Sequence, residues 1–228
     1  MHFTSIDAAA GSKDVANEHL RELLETLDGG DAFIDERIDA TDRHAIATAI
    51  RSYDRAFVDE FGAEHDSFRL IGQDNIRRYL PVGELRLRIH AEDSAFDIFA
   101  RAAAAQAAGA RITVSYPPDG IVPAIEALEH ATERWGGAIE FVEETDETLA
   151  TVVRTGLTDR VRYAGRDRVP EDVLRAIGET GIYIARAPVL GEGRIELLWY
   201  LKEQSLCFDY HRYGTLGDRA LEERRATL

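Results

Sequence analysis

Cysteine is almost absent from this chain, and lysine is nearly as scarce. The single cysteine, Cys207, excludes an internal disulfide and suits a reducing, cytoplasmic setting. Lysine occurs only at Lys13 and Lys202, so nearly all positive charge is arginine. Positive charge is itself in short supply: 27 basic against 42 acidic residues give a formal net charge of −15. A surface of that sign repels phosphate backbones, which argues against nucleic acid as a partner. No apolar run approaches the roughly 20 residues needed to span a bilayer, and no secretory signal pattern opens the sequence.

Signatures of chemistry are scarce as well. Neither the glycine pattern G-x-G-x-x-G nor a P-loop occurs. The seven histidines form no His-x-x-x-His pair and no Cys/His cluster, so no metal site is expected. His65-Asp66 and Asp209-Tyr210-His211 are local pairings that surface polar contacts explain. Glu143, Glu144 and Asp146 gather at a strand-to-helix junction, where acidic residues favour a helix N-terminus. Capping is therefore expected of them rather than acid/base work.

What is present is the patterning of a cored domain. With 228 residues and 45% hydrophobic content, the chain suffices for one α/β domain and an accessory segment. Ser12 can cap a helix whose apolar positions are Ala16, Leu20, Leu23, Leu24 and Leu27, ending at Gly29-Gly30. A second helix starts near Thr41 and carries Ile46, Ile50, Tyr53, Phe57 and Phe61 to Gly62. From about Phe68 short strands alternate with helices. Leu85, Leu87 and Ile89 alternate with polar residues as a strand, and Ser94 with Asp97 forms a capping box before an Ala-rich helix to Gly109. Strands at Arg111–Ser115, Ile139–Val142, Val161–Ala164 and Ile182–Ala187 are separated by helices through Ile125 and Leu128, around Leu149–Val153, and after Pro170. Such alternation predicts a Rossmann-like, mostly parallel sheet with helices on both faces. Ile195–Leu201 and Ser205–Tyr210 read as a C-terminal β-hairpin flap turning at Lys202–Gln204. The expected organisation is a helical segment over 1–66, the α/β domain over 67–190, and the flap with a polar tail over 191–228.

The stretch from Leu80-Pro81-Val82-Gly83 to Pro117 resembles aldehyde dehydrogenases in its order: Pro-x-Gly, hydrophobic strand, Ala-rich helix ending in Gly, second strand, Pro-containing turn. Asp159-Arg160-Val161-Arg162-Tyr163-Ala164-Gly165 resembles the strand and glycine turn that precede the NAD-contacting helix there. Gly72-Gln73-Asp74-Asn75-Ile76-Arg77-Arg78-Tyr79-Leu80-Pro81, with Glu203–Ser205 and Tyr210–Gly217, looks like the C-terminal region of proline utilization A-type proteins. The resemblance covers roughly residues 42–225. Those proteins join a flavin-dependent proline dehydrogenase to an NAD-dependent L-glutamate-γ-semialdehyde dehydrogenase. Many carry a further C-terminal domain of the aldehyde dehydrogenase superfamily that lids the channelling cavity.

Set against that family, this chain departs at most of the chemical positions. Its only thiol lies in the expected hairpin, where a buried packing role is anticipated for Cys207. The oxyanion asparagine of the family falls near Glu92, and the ribose-binding lysine near Ser115 or Tyr116. Gly165 is kept, but Arg166-Asp167-Arg168 replaces the small residues that let a pyrophosphate approach. The catalytic domain inserted after the equivalent of Ala187 is missing. The resemblance therefore implies no catalytic, cofactor-binding or metal residue in this chain, with FAD and NAD belonging to the parent enzyme.

The residues left for function are those of an interface: Gln73, Asp74, Asn75, Arg78 and Tyr79; Trp199 and Tyr200 in a strand apolar on both faces; and His211, Arg212 and Tyr213. The expected partner is the aldehyde dehydrogenase domain of the parent protein, with a homodimer through the hairpin as another arrangement. The leading expectation is a non-catalytic lid module. The alternatives are an active NAD(P)-dependent oxidoreductase or nucleotide-binding protein with a relocated site, and a stand-alone oligomeric scaffold.

Overall fold

The structure is a computed structural model that describes residues 15–120, 122–211 and 215–224. Its first helix, α1 (Glu18–Asp28), is capped by Asn17, whose side chain accepts from the Leu20 N–H. Ser12, the expected cap, lies outside the described residues. A buried carboxylate holds this start in place: Asp54 accepts the N–H groups of Ala16 and Asn17 at 2.8 and 2.9 Å. After a short helix, α2 (Ala32–Asp35), comes α3 (Ala40–Ala56), which Asp39 caps and which widens into a π-turn over Phe57–Phe61.

Leu20, Leu23, Leu24 and Leu27 of α1 are 0–2% exposed. Each contributes roughly 1.5–3 kcal/mol on burial, so α1 alone carries stabilisation comparable to the net stability of a domain. These leucines belong to one continuous core that runs from Val15 through α3 and the sheet to Leu201.

The sheet is built as the alternation predicts. Its elements are β2 (Glu84–Arg88), α4 (Ala95–Ala108), β3 (Arg111–Tyr116), α5 (Pro123–Ala131), β4 (Ile139–Glu143), α6 (Asp146–Arg154), β5 (Arg160–Arg162), α7 (Glu171–Thr180) and β6 (Tyr183–Ala185). The five strands are parallel, in the order β4-β3-β2-β5-β6. The Ser94–Asp97 capping box is formed, and Gly109 ends α4 at φ 78, a left-handed value that glycine adopts without strain. Helices α4 and α5 share the large core, whereas Leu149, Val153, Val161, Tyr163, Val173 and Ala176 make a second core under α6 and α7. Both faces of the sheet are thus covered. From β2 the chain builds outward to β4 on one side and then crosses to β5 on the other, so the topological switch point lies between β2 and β5.

The expected hairpin is not formed. Residues 193–199 are a helical turn, α8 (Gly193–Glu196), followed by a 3-10 turn over Leu197–Trp199. The reason is packing. Glu196, Leu197, Tyr200 and Leu201 are all buried, which is helical spacing rather than strand alternation. Gly193 lies so close to α3 that a Cβ there would stand 2.3 Å from the Ser52 carbonyl oxygen. The remainder is one long strand, β7 (Leu201–Asp209), which pairs antiparallel with β1 (Gln73–Pro81) from Gln73↔Asp209 to Pro81↔Leu201. Lys202–Gln204, read as the turn, lies inside β7. The flap is therefore a two-stranded antiparallel ribbon of β1 and β7, and among the described residues no local hairpin is formed there.

Candidate functional site: the switch-point cleft and the ribbon

In open α/β sheets ligands bind beyond the C-terminal ends of the strands at the switch point. Here that position holds a cleft of about 320 Å³, lined among others by Arg88, His90, Pro117, Asp146, Tyr163 and Arg168. Much of its charge is already spent within the protein. Arg88, 3% exposed at the end of β2, donates to Ser115 Oγ at 2.9 Å, the Glu144 carbonyl at 3.0 Å and Asp146 at 2.7 Å. Arg86 and Ser115 both donate to the buried Glu144 carboxylate, at 2.7 and 2.6 Å. The cap of α6 is Thr145, accepting from the Thr148 N–H, rather than Glu143 or Glu144, while Asp146 does lie in the helix's first turn.

Behind this layer sits Arg101, fully buried in the middle of the alanines of α4. It donates to the Arg88 carbonyl at 2.9 Å and pairs with Asp93, whose carboxylate also takes Arg168. One carboxylate thus bridges a guanidinium from α4 and another from the 3-10 turn Arg166–Arg168 after β5. That turn folds back over Gly165, where a Cβ would lie 2.8 Å from Asp167 Oδ1 and 3.3 Å from Arg168 Nε. A second buried network joins β5 to the segment after β6. Arg162 and Tyr200 each meet Glu196 at 2.8 Å, Arg162 reaches the Ala187 carbonyl at 2.6 Å, and Tyr53 donates to the Leu190 carbonyl at 2.6 Å. Burial pushes the Tyr53, Tyr163 and Tyr200 phenols above their ordinary range, and Tyr53 and Tyr200 spend their hydroxyls on the bonds just named.

The interface residues expected from the sequence separate into two places. Gln73, Asp74, Asn75, Arg78 and Tyr79 all lie on β1. On one face of the ribbon, Gln73 donates to Asp209 at 2.6 Å and Tyr79 meets Phe61 edge-on at 4.9 Å. On the other, Arg78 donates to Gln204 at 2.7 Å and to Glu64 at 3.1 Å. Asp74 is gripped by Arg219 at 2.8 and 3.0 Å and by Arg224, and hydrogen bonds from these two, Arg219 first, hold its carboxyl down to about 2. Arg219 also lies 3.9 Å over the Tyr210 ring, so residues 215–224 are strapped to the ribbon. His211 joins the same end, its Nδ1 2.9 Å from the Gly72 carbonyl. Arg212 and Tyr213 lie outside the described residues.

Trp199 and Tyr200 are elsewhere. Trp199 is half-buried and stacks on Tyr183 of β6 at 6.4 Å, while Tyr200 is 0% exposed and cannot meet a partner. Cys207, expected to be buried, is exposed on β7 opposite Asn75, because two strands offer too little sheet to cover it. The sequence reading missed Arg101, Asp93 and Glu196 altogether. A lone arginine between Ala100 and Ala102 was the available signal for the first. Among the described residues no group of three or more His, Cys, Asp or Glu could hold a metal ion, and no helix is long and apolar enough to cross a membrane.

No family profile and no curated protein matches the chain. Solved structures do. An NAD+ complex of an aldehyde dehydrogenase from Bacillus cereus aligns with TM-score 0.58 and 17% identity, over 79% of this chain and 39% of that one. A succinate-semialdehyde dehydrogenase from Burkholderia pseudomallei aligns at 0.57 and 16%, over 78% and 39%. The fold of this chain is therefore similar to that of a part of these dehydrogenases. A variant of Proline Utilization A from Bradyrhizobium japonicum also aligns, at 0.60 and 18%, over 79% of this chain and 20% of that one. The chain thus spans about two fifths of the dehydrogenases and one fifth of the larger protein.

Proposed function

We propose that this chain is a non-catalytic module of a bifunctional dehydrogenase that oxidises proline to glutamate, serving as lid and buttress of the cavity through which the semialdehyde passes. The observation that carries the reading is a dehydrogenase-like sheet whose switch-point cleft is backed by the Arg101–Asp93–Arg168 bridge. A dinucleotide does not fit that arrangement. Its pyrophosphate needs an open, electropositive helix N-terminus, whereas α7 is preceded by Pro170, carries Glu171 and Asp172 in its first turn and follows Asp167 of the 3-10 turn. NAD and FAD belong, in this reading, to the parent enzyme's other domains.

The ribbon supplies the docking element. A two-stranded sheet is marginal alone, and among the described residues β7 has no strand on its other side. Its free edge of N–H and C=O groups accepts an extended segment of the dehydrogenase domain by strand addition. The test compares the parent enzyme with and without this module, following release of semialdehyde into solution during proline oxidation. Removal is expected to produce a transient burst of free semialdehyde; an unchanged time course defeats the lid role. Micromolar binding of NAD or NADP to this chain in calorimetry defeats the non-catalytic reading.

A further inference from the structure

We infer that the switch-point cleft binds a compact organic monocarboxylate. The starting point is Tyr163, which is 1% exposed and whose hydroxyl has no hydrogen-bond partner. Buried hydroxyls are ordinarily paired, and leaving one unpaired costs free energy that a ligand would recover. The charges facing this phenol are Arg88, Asp146 and Glu144, of which the first two line the cleft along with Tyr163 itself.

Two further residues that line the same cleft carry donors. Arg168 spends its Nη1 on Asp93 and Asp97, while its Nε is buried without a partner. His90 Nδ1 accepts the Glu92 N–H at 3.2 Å, which leaves the proton of the neutral ring on Nε2 as a donor. Three unspent donors call for a group rich in acceptors, and an oxyanion is the simplest that answers all of them.

The surroundings narrow the class. Asp146 and Asp167 line the cleft, and Asp93 and Asp97 lie behind Arg168. These carboxylates offset the guanidiniums, so a second negative charge is repelled and a phosphate dianion is disfavoured. Ile89, Ala91, Pro117, Val169 and Pro170 supply apolar walls. A volume of about 320 Å³ is at the small end for ligand sites, enough for a carboxylate on a short or cyclic hydrocarbon body.

The experiment titrates the full chain with cyclopentanecarboxylate, its neutral carboxamide, inorganic phosphate and NAD+, read by calorimetry and by amide chemical shifts. Cyclopentanecarboxylate is expected to bind and to shift amides of residues 88–91 and 163–170, with the carboxamide and phosphate at least about tenfold weaker. Tyr163→Phe is expected to weaken the carboxylate by about tenfold or more without lowering the unfolding midpoint of the free protein, since its hydroxyl has no bond to lose. His90→Ala, at a half-exposed position, is expected to weaken it less. Silence of the carboxylate at millimolar concentration, equal binding by Tyr163→Phe, or tighter binding of phosphate overturns the inference. NAD+ binding in the cleft overturns it together with the non-catalytic reading, whereas silence of both carboxylate and NAD+ overturns this inference alone.

Discussion

The five-stranded sheet and the two-stranded ribbon use the same residue types to opposite ends. At the switch point, arginine and carboxylate are paired inside the protein: Arg101 and Asp93 have fully buried side chains, as do Arg162 and Glu196. On the ribbon, Arg78, Arg219 and Arg224 meet Glu64, Asp74 and Glu222 at the surface, where water and salt compete. Buried pairs are costly to break because the survivor keeps an uncompensated charge; exposed ones are worth little. One region is therefore built to hold a single arrangement, and the other can exchange its own contacts for those of a partner.

The largest expected effect comes from splitting a buried pair. Asp93→Ala strands Arg101 and should cost about 3–5 kcal/mol in urea unfolding. Adding Arg101→Met should recover most of that loss, as apolar replacements of buried pairs often do. A loss below about 1 kcal/mol for the single variant would erase the contrast between the two regions. Next in size is Gly193→Ala, where a methyl group would press on the Ser52 carbonyl across the α3–α8 seam; about 1–3 kcal/mol is expected in the same assay.

The ribbon's response should be one of conditions rather than of stability. The Asp74 carboxyl is held down to about 2, below its unfolded range, so its grip on residues 215–224 is present above that range and is lost as pH falls through about 2. Amide exchange of that segment should accelerate on acidification between about pH 4 and 2, and also in 1 M salt at neutral pH, while the α4 amides stay protected. Equal salt sensitivity in both places would contradict the comparison. Smallest of all, Cys207→Ser should change stability by no more than about 0.5 kcal/mol, and the native thiol should react with a maleimide without unfolding.

Much of the α/β body was legible because its signals are local. The Ser94–Asp97 box, the alternation of Leu85, Leu87 and Ile89, and Pro170 before α7 each announce an element from within a few residues. The ribbon was not legible for the opposite reason. Its pairing partners lie at Gln73–Pro81 and Leu201–Asp209, and the nearer apolar run at Ile195–Leu201 invited a false local match. A short run rich in Leu, Trp and Tyr fits either a strand or a buried helical turn, and only contact with α3 decides. The cleft was partly legible: Arg168 stood out as a departure after Gly165. Its partner Asp93 could not be paired with it, because nothing in the sequence announces a contact across the switch point.

The bridge at Asp93 has a consequence for how this chain can change by mutation. Dismantling the bridge means removing Arg101, Asp93 and Arg168 in some order, and no order that begins with Asp93 or Arg101 is smooth. Losing Asp93 first leaves two guanidiniums facing one another across the switch point, and losing Arg101 first leaves the carboxylate short of a donor. Either first step crosses a sequence less fit to fold than the starting one. The bridge thus works as a ratchet, easier to keep than to undo.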